Sequence, residues 1–147
     1  MKTRKAMKRD KQDGFTLLEI LLVVVIIGLL VGVAVVRLGP RAGEAKKVAV
    51  QRQIDAYKSG LGLYDLDNGF YPTTEQGLQA LIVAPTTPPV PNNWKGPYLD
   101  PAVIRKDPWG HDYLYRCPGV KNPTGYDLYS VGPNGVEGDD DDIGNWQ

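Results

Sequence analysis

Two hydrophobic patterns divide this chain. Residues 15–36 form an apolar run broken only by Thr16, Glu19, Gly28 and Gly32. Further on, Val50, Ile54, Tyr57, Leu61 and Tyr64 step by four, three, four and three, which traces one face of a helix. The first pattern predicts a membrane helix. At about 1.5 Å per residue it extends about 33 Å, close to the hydrocarbon thickness of a bilayer. Lys2, Arg4, Lys5, Lys8, Arg9 and Lys11 precede the run and hold that end in the cytoplasm. Arg37 and Arg41 mark the far end and can snorkel to headgroups. The rest of the chain then lies outside, in a periplasm-like space.

The second pattern predicts an amphipathic helix over 41–67, with Lys46, Lys47, Arg52, Asp55 and Lys58 off the apolar stripe. Gly60 and Gly62 each weaken it by up to about 1 kcal/mol relative to alanine and leave room for a sheet to approach closely. Between the two patterns lies Leu38-Gly39-Pro40, where the proline predicts a kink or local unwinding. Asp67-Asn68-Gly69 ends the helix, the glycine suiting a left-handed cap. A shorter helix is predicted to open after Tyr71-Pro72. There Thr73 and Gln76 have capping-box spacing, Glu75 sits at the positive end, and Leu78, Leu81 and Ile82 form an apolar face. Residues 84–101 are rich in proline and predict a long loop pinned by Trp94 and Tyr98. Asp107-Pro108-Trp109-Gly110 predicts a tight turn. Residues 112–116 and 126–131 predict two short strands joined by 118–125. A small antiparallel sheet packed on the amphipathic helix gives an α+β domain.

Charge and composition narrow the function. Lysine plus arginine total 17, as do aspartate plus glutamate. The bases crowd the leader and four adjacent aspartates, Asp139 to Asp142, crowd the tail. No basic stripe offers a nucleic-acid surface. Cys117 is the only cysteine, so no disulfide can staple the domain from within. A sufficient core, a metal or neighbouring subunits must do that work. His111 is the only histidine, and no motif activates a Cys–His pair. No phosphate loop is present. The chain reads as a non-enzyme.

Glu19 is the residue that a plain membrane anchor leaves without a role. A carboxylate inside a membrane helix costs several kcal/mol unless it is paired or near the interface. A cleavable secretory signal does not fit either, since Val33-Ala34-Val35 is not an A-x-A-like site and the run is long for a signal core. A cut between Gly14 and Phe15 would expose an α-amino group at Phe15. That group could pair with Glu19 of an adjacent subunit and set a fixed stagger between copies.

The basic leader, Gly14, Phe15-Thr16-Leu17-Leu18-Glu19 and the apolar helix together resemble the class III signal of type IV pilins and pseudopilins. The resemblance implies that a prepilin peptidase cuts after Gly14 and methylates Phe15, and that Glu19 serves assembly. A second stretch resembles the major pseudopilin family of type II secretion systems. It comprises Leu66-Asp67-Asn68-Gly69-Phe70-Tyr71-Pro72-Thr73-Thr74-Glu75-Gln76-Gly77-Leu78, Asn93-Trp94, Gly96-Pro97-Tyr98-Leu99, Asp107-Pro108-Trp109-Gly110 and Asp142-Ile143-Gly144-Asn145-Trp146. The organisation then expected is a cleaved leader over 1–14, a transmembrane polymerisation helix over 15–38 and a periplasmic domain over 39–147. The family further implies a type IV pilin-like fold and a single-pass subunit of the inner membrane. Assembly partners would be further copies of itself, minor pseudopilins, an inner-membrane platform and a cytoplasmic ATPase. The fibre would drive folded proteins across the outer membrane. A type IV pilus subunit for adhesion, motility or DNA uptake is the alternative.

Gly132 to Asp142 sets oxygen ligands among turn-forming glycines. Hard cations such as calcium take six to eight oxygens from a flexible loop, and four adjacent aspartates repel one another until a cation relieves them. A solvated acidic tail remains the other reading of the same residues. The family resemblance implies a structural calcium ion here. It implies side-chain ligands Asn134, Asp141 and Asp142, with carbonyls from Val131 and Asp139. Asn134 stands where relatives often carry aspartate, which leaves the site one charge short unless Glu137, Asp139 and Asp140 compensate.

Overall fold

A computed structural model describes residues 15–147, with side chains over 15–32 and 42–147. The leader 1–14, including Gly14, lies outside the described residues, as do the side chains of Arg37 and Arg41. The chain divides into two units, Met1–Arg41 and Ala42–Gln147, each described by itself. Helix α1, Leu17–Asn68, runs through both. Its backbone stays helical through Gly39-Pro40, so the unwinding expected there does not occur. A proline removes one N–H donor, and a long helix with bonded turns on either side absorbs that loss.

In the first unit, every large apolar side chain from Phe15 to Val31 is exposed. A helix apolar all round has no water-facing side and calls for an apolar environment or partner helices. The described side chains stop at Gly32, short of the predicted end of the run. Among the described residues no helix is long and apolar enough to cross a membrane.

The second unit is built on one face of α1. Val50, Ile54, Tyr57, Leu61 and Tyr64 are all fully buried, as their spacing predicts. Leu78, Ala80, Leu81, Tyr113, Leu128 and Ile143 complete the cluster. Three antiparallel strands lie in the order β1-β2-β3: β1 Leu114–Arg116, β2 Asp127–Ser130 and β3 Ile143–Gly144. Leu114 pairs with Tyr129, and Tyr129 pairs in turn with Gly144. The α+β class is as expected. Both foreseen strands are shorter than their sequence patterns. Asp112 turns to solvent and pairs with Lys106 at 3.0 Å instead of entering the ladder. β3 was not foreseen, because two residues carry no period. Its flanks hold it: Asn145 accepts from Leu128 N at 3.0 Å through Oδ1 and donates to Tyr126 O at 2.9 Å.

The predicted second helix is replaced. The capping box forms, with Thr73 N donating to Gln76 Oε1 at 3.1 Å and Gln76 N to Thr73 Oγ1 at 3.2 Å. It closes a turn rather than opening an α-helix, because Gly77 follows with φ +57°. Only a 3-10 helix, Leu78–Leu81, comes after, and it buries Leu78, Ala80 and Leu81 rather than Ile82. The Gln76 amide turns instead to the proline-rich loop, donating to Thr87 O at 2.7 Å and Pro89 O at 3.0 Å. Trp94 and Tyr98 pin that loop as expected: Trp94 Nε1 donates to Ala80 O at 2.9 Å, and Tyr98 N to Leu81 O at 2.7 Å. Gly60 is where the loop touches α1. A Cβ there would lie 3.0 Å from Leu99 Cδ2 and 3.1 Å from Tyr98 O. The close approach is therefore by a loop, not by the sheet, and Gly62 faces open space.

Candidate functional site

Two regions carry the candidate residues: the start of α1 and the acidic loop after β2. At the helix start Thr16 acts as N-cap, since Glu19 N donates to Thr16 Oγ1 at 3.3 Å and to Thr16 O at 3.0 Å. Glu19 thus sits at the third helical position of a T-x-x-E pattern. A carboxylate is favourable there against the positive helix end. The sequence reading missed this local role, although the capping-box spacing was legible. Phe15 and Glu19 are both exposed, one turn apart, and so available to another molecule.

The acidic loop begins at a buttressed corner. Asp107 is buried beneath it. Its Oδ1 accepts from Trp109 N at 3.0 Å and His111 N at 2.8 Å, and its Oδ2 accepts from Ser130 Oγ at 2.6 Å. Gly132 N donates to the same Ser130 Oγ at 3.1 Å, and His111 Nδ1 lies 3.0 Å from Gly132 O. The tight turn expected at 107–110 is therefore also the seat of the loop, a role that its residue spacing does not signal. Burial alone would push the Asp107 carboxyl up, but the hydrogen bonds from Ser130, His111 and Trp109 outweigh it and hold it below its ordinary value of 3.8. Ser130, His111 and Asp107 do not form a nucleophile–base pair, because the serine hydroxyl donates to the aspartate and not to the imidazole.

Within the loop Asn134 Oδ1 accepts from Val136 N at 2.8 Å, and its Nδ2 donates to Asp139 Oδ2 at 2.6 Å. Asp139 Oδ1 accepts from Asp141 N at 3.0 Å, and Asp139 O from Asp142 N at 3.4 Å. Asp142 is buried. Its Oδ2 accepts from Gly138 N at 2.8 Å, while Oδ1 is buried with no partner. Gly132, with φ +69°, lets the acidic segment close on the end of β2. A Cβ there would meet Asp141 O at 2.6 Å. Val131 is buried at the loop's origin.

Glu137 is not free to compensate for Asn134. It accepts from Tyr129 OH at 2.5 Å and from Arg116 Nη2 at 3.4 Å. Burial and the Glu137 carboxylate push the Tyr129 hydroxyl up to about 12, so it stays a donor. Among the described residues no lysine, arginine or histidine pairs with Asp139, Asp140, Asp141 or Asp142. The structure thus brings Asn134 to Asp139 and folds Asp141 and Asp142 back on the same residue. It does not converge three carboxylates on one point; among the described residues no group of three His, Cys, Asp or Glu is arranged to hold a metal. The donor set is hard and anionic, and the orphaned Asp142 oxygen needs a positive partner, so the residues fit calcium chemically. Asn134 would have to present its oxygen in place of its nitrogen.

Residues 37–146 match the family described as type II secretion system, protein G. The chain belongs to that family. Residues 9–35 match the prokaryotic N-terminal methylation motif. The chain is similar to the type II secretion system core protein G of Pseudomonas aeruginosa, 46% identical over 144 residues, covering 95% of this chain and 99% of that one. It is 46% identical over 138 residues to the core protein G of Escherichia coli K12, covering 93% and 92%. The crystal structure of the major pseudopilin from the type 2 secretion system of enterohaemorrhagic Escherichia coli superposes with a TM-score of 0.65 at 42% identity. That match covers 73% of this chain and 91% of the other. The protein G family membership decides between the two sequence readings in favour of a secretion pseudopilin over a surface pilus subunit. It is a family of secretion-system components.

Asp107 gives the first test. A carboxyl held low in the folded state adds stability that is present above its unfolded value and lost as pH falls through the folded one. Asp107→Asn keeps the acceptor for Trp109 and His111 but removes that for Ser130. It should cost about 1–3 kcal/mol at neutral pH, and less as pH falls below about 4. Melting temperatures of the two proteins that stay a constant distance apart down to acid pH would contradict this.

Proposed function

We propose that this chain is the major structural subunit of the type II secretion pseudopilus. It polymerises through the apolar part of α1 to drive folded proteins across the outer membrane. The observation that carries the reading is the bare apolar helix surface from Phe15 to Val31, headed by Thr16 and Glu19, on a chain of the protein G family. The precursor is held in the inner membrane as a single pass, leader in the cytoplasm and the Ala42–Gln147 unit in the periplasm. Prepilin peptidase removes residues 1–14 and methylates Phe15; the match to the N-terminal methylation motif supports this. The new amine of one copy pairs with Glu19 of the next. A cytoplasmic ATPase supplies energy through the inner-membrane platform, and minor pseudopilins join the fibre.

The same reading gives the acidic loop a structural calcium ion, held by Asn134, Asp141 and Asp142 side chains with carbonyls of Val131 and Asp139. When bound, the ion supplies the positive charge that the aspartates lack. The loop ties the end of β2 to β3, the place where a lone Cys117 permits no disulfide.

Two outcomes are expected. Mass spectrometry of the protein from its native host shows a chain starting at N-methylated Phe15, and Glu19→Ala leaves insertion intact but abolishes fibre assembly. An untrimmed chain, or a Glu19→Ala variant that still assembles and secretes, contradicts the reading. Calorimetry in calcium shows a melting temperature above that in chelator, with about 2.7 kcal/mol gained at a hundredfold excess over Kd. The difference disappears in Asp142→Ala. Identical melts for the parent chain with and without calcium would remove the ion from the account.

A further inference from the structure

The sequence contains two Asn-Gly dipeptides, Asn68-Gly69 and Asn134-Gly135. They are chemically alike. In each, a glycine amide nitrogen unhindered by a side chain follows an asparagine whose Cγ it can attack. The fold treats them differently. Gly69 N is committed to Asp65 O at 2.7 Å, and the Asn68 amide donates to Tyr64 O at 2.9 Å with its Oδ1 buried. Nucleophile and electrophile are both tied down at the end of a helix. Asn134 and Gly135 are exposed, and among the described residues Gly135 N–H has no hydrogen-bond acceptor. Val136 N–H, 2.8 Å from Asn134 Oδ1, faces the oxygen on which charge gathers when the side-chain carbon is attacked.

We propose that Asn134-Gly135 is a self-modifying site, at which the folded chain deamidates and adds a carboxylate to the acidic loop. Gly135 N forms a bond to Asn134 Cγ, and the Cγ–Nδ2 bond breaks. Ammonia leaves, its third hydrogen coming from Gly135 N–H by way of solvent. Water then adds to either carbonyl of the resulting succinimide, giving aspartate or the backbone-lengthened isoaspartate. No oxidant or reductant is involved.

The consequence follows from what Asn134 does now. Its Nδ2 hydrogen bond to Asp139 Oδ2, at 2.6 Å, is the one hydrogen bond that the Asp139 carboxylate receives from a side chain among the described residues. Conversion replaces that donor with a second carboxylate. Without a cation the two repel, and the loop loosens. With a divalent cation the added charge becomes an added ligand. This consequence rests on the calcium reading of the loop; the modification itself does not.

The test uses the purified full chain, incubated in chelator at mildly alkaline pH. Intact mass and peptide mapping follow the exchange of amide for hydroxyl at both dipeptides. In denaturant the two convert at similar rates. In the folded chain Asn134 converts several-fold faster than Asn68. Conversion at Asn134 no faster than at Asn68 in the folded chain overturns the proposal. The Asn134→Asp variant is then melted beside the parent in chelator and in calcium. A lower melt in chelator and a larger gain with calcium support the charge argument. Deamidation at Asn134 with no calcium response in either protein leaves the modification standing and removes the calcium reading. A calcium response without deamidation does the reverse.

Discussion

The burial of one face of α1 is the constraint on which the Ala42–Gln147 unit depends. Five side chains, Val50, Ile54, Tyr57, Leu61 and Tyr64, are fully withdrawn from water, and Leu78, Ala80, Leu81, Tyr113, Leu128 and Ile143 join their cluster. Each such side chain is worth about 1.5–3 kcal/mol of transfer free energy. The sheet has nine residues in three strands and cannot supply a core of its own. Aromatic edges extend the helix face outward. Tyr57 meets Tyr113 edge-on at 5.4 Å, and Tyr64 meets Phe70 and Tyr98 at 6.0 and 5.6 Å. Tyr57 OH then ties the loop leading to Asp107, accepting from Arg105 N at 2.8 Å.

Polar side chains do the remaining work by satisfying backbone that a short sheet leaves unpaired. Asp127 takes three loop N–H groups, from Val120, Lys121 and Asn122, at 2.6 to 2.9 Å. Asn145 closes the other edge of β2, and Asp107 seats the start of the acidic loop. Each carboxylate accepts several donors, the arrangement in which a buried charge is stabilising rather than costly. Asp142 is the exception, with one oxygen paired and one orphaned. The loop therefore holds an unmet demand for positive charge at the point where the last strand joins the chain's end. In the proposed reading a structural cation would meet that demand.

What the sequence shows of this fold follows periodicity. The α1 stripe was legible because Val50, Ile54, Tyr57, Leu61 and Tyr64 repeat the same signal without a slip over about four turns of helix. The Asp107-Pro108-Trp109-Gly110 turn and the Trp94 and Tyr98 pins were legible from residue chemistry. β3 was not, since two residues have no pattern and their place is set by Asn145 across the sheet. The second helix was misread for a related reason: Thr73 and Gln76 satisfy each other in a turn as well as in a helix, and only Gly77 decides between them. At the sites, the spacing of leader, Gly14-Phe15 and Glu19 agrees with the match to the N-terminal methylation motif over residues 9–35, and the capping role of Thr16 was overlooked. The acidic residues of the loop were visible as composition, whereas Ser130 joins the Asp107 and His111 seat from more than a turn-length away in the chain, where no spacing signals it.

The central claim is that the helix face, and not the sheet or the loop, holds the Ala42–Gln147 unit together. Amide hydrogen exchange on the folded protein measures this directly. The account predicts that the amides of Val50, Ile54, Tyr57, Leu61 and Tyr64 open only with global unfolding, at the free energy given by denaturant melting of the same sample. Exchange of those amides by local opening at a clearly lower free energy, with β2 still protected, would contradict it.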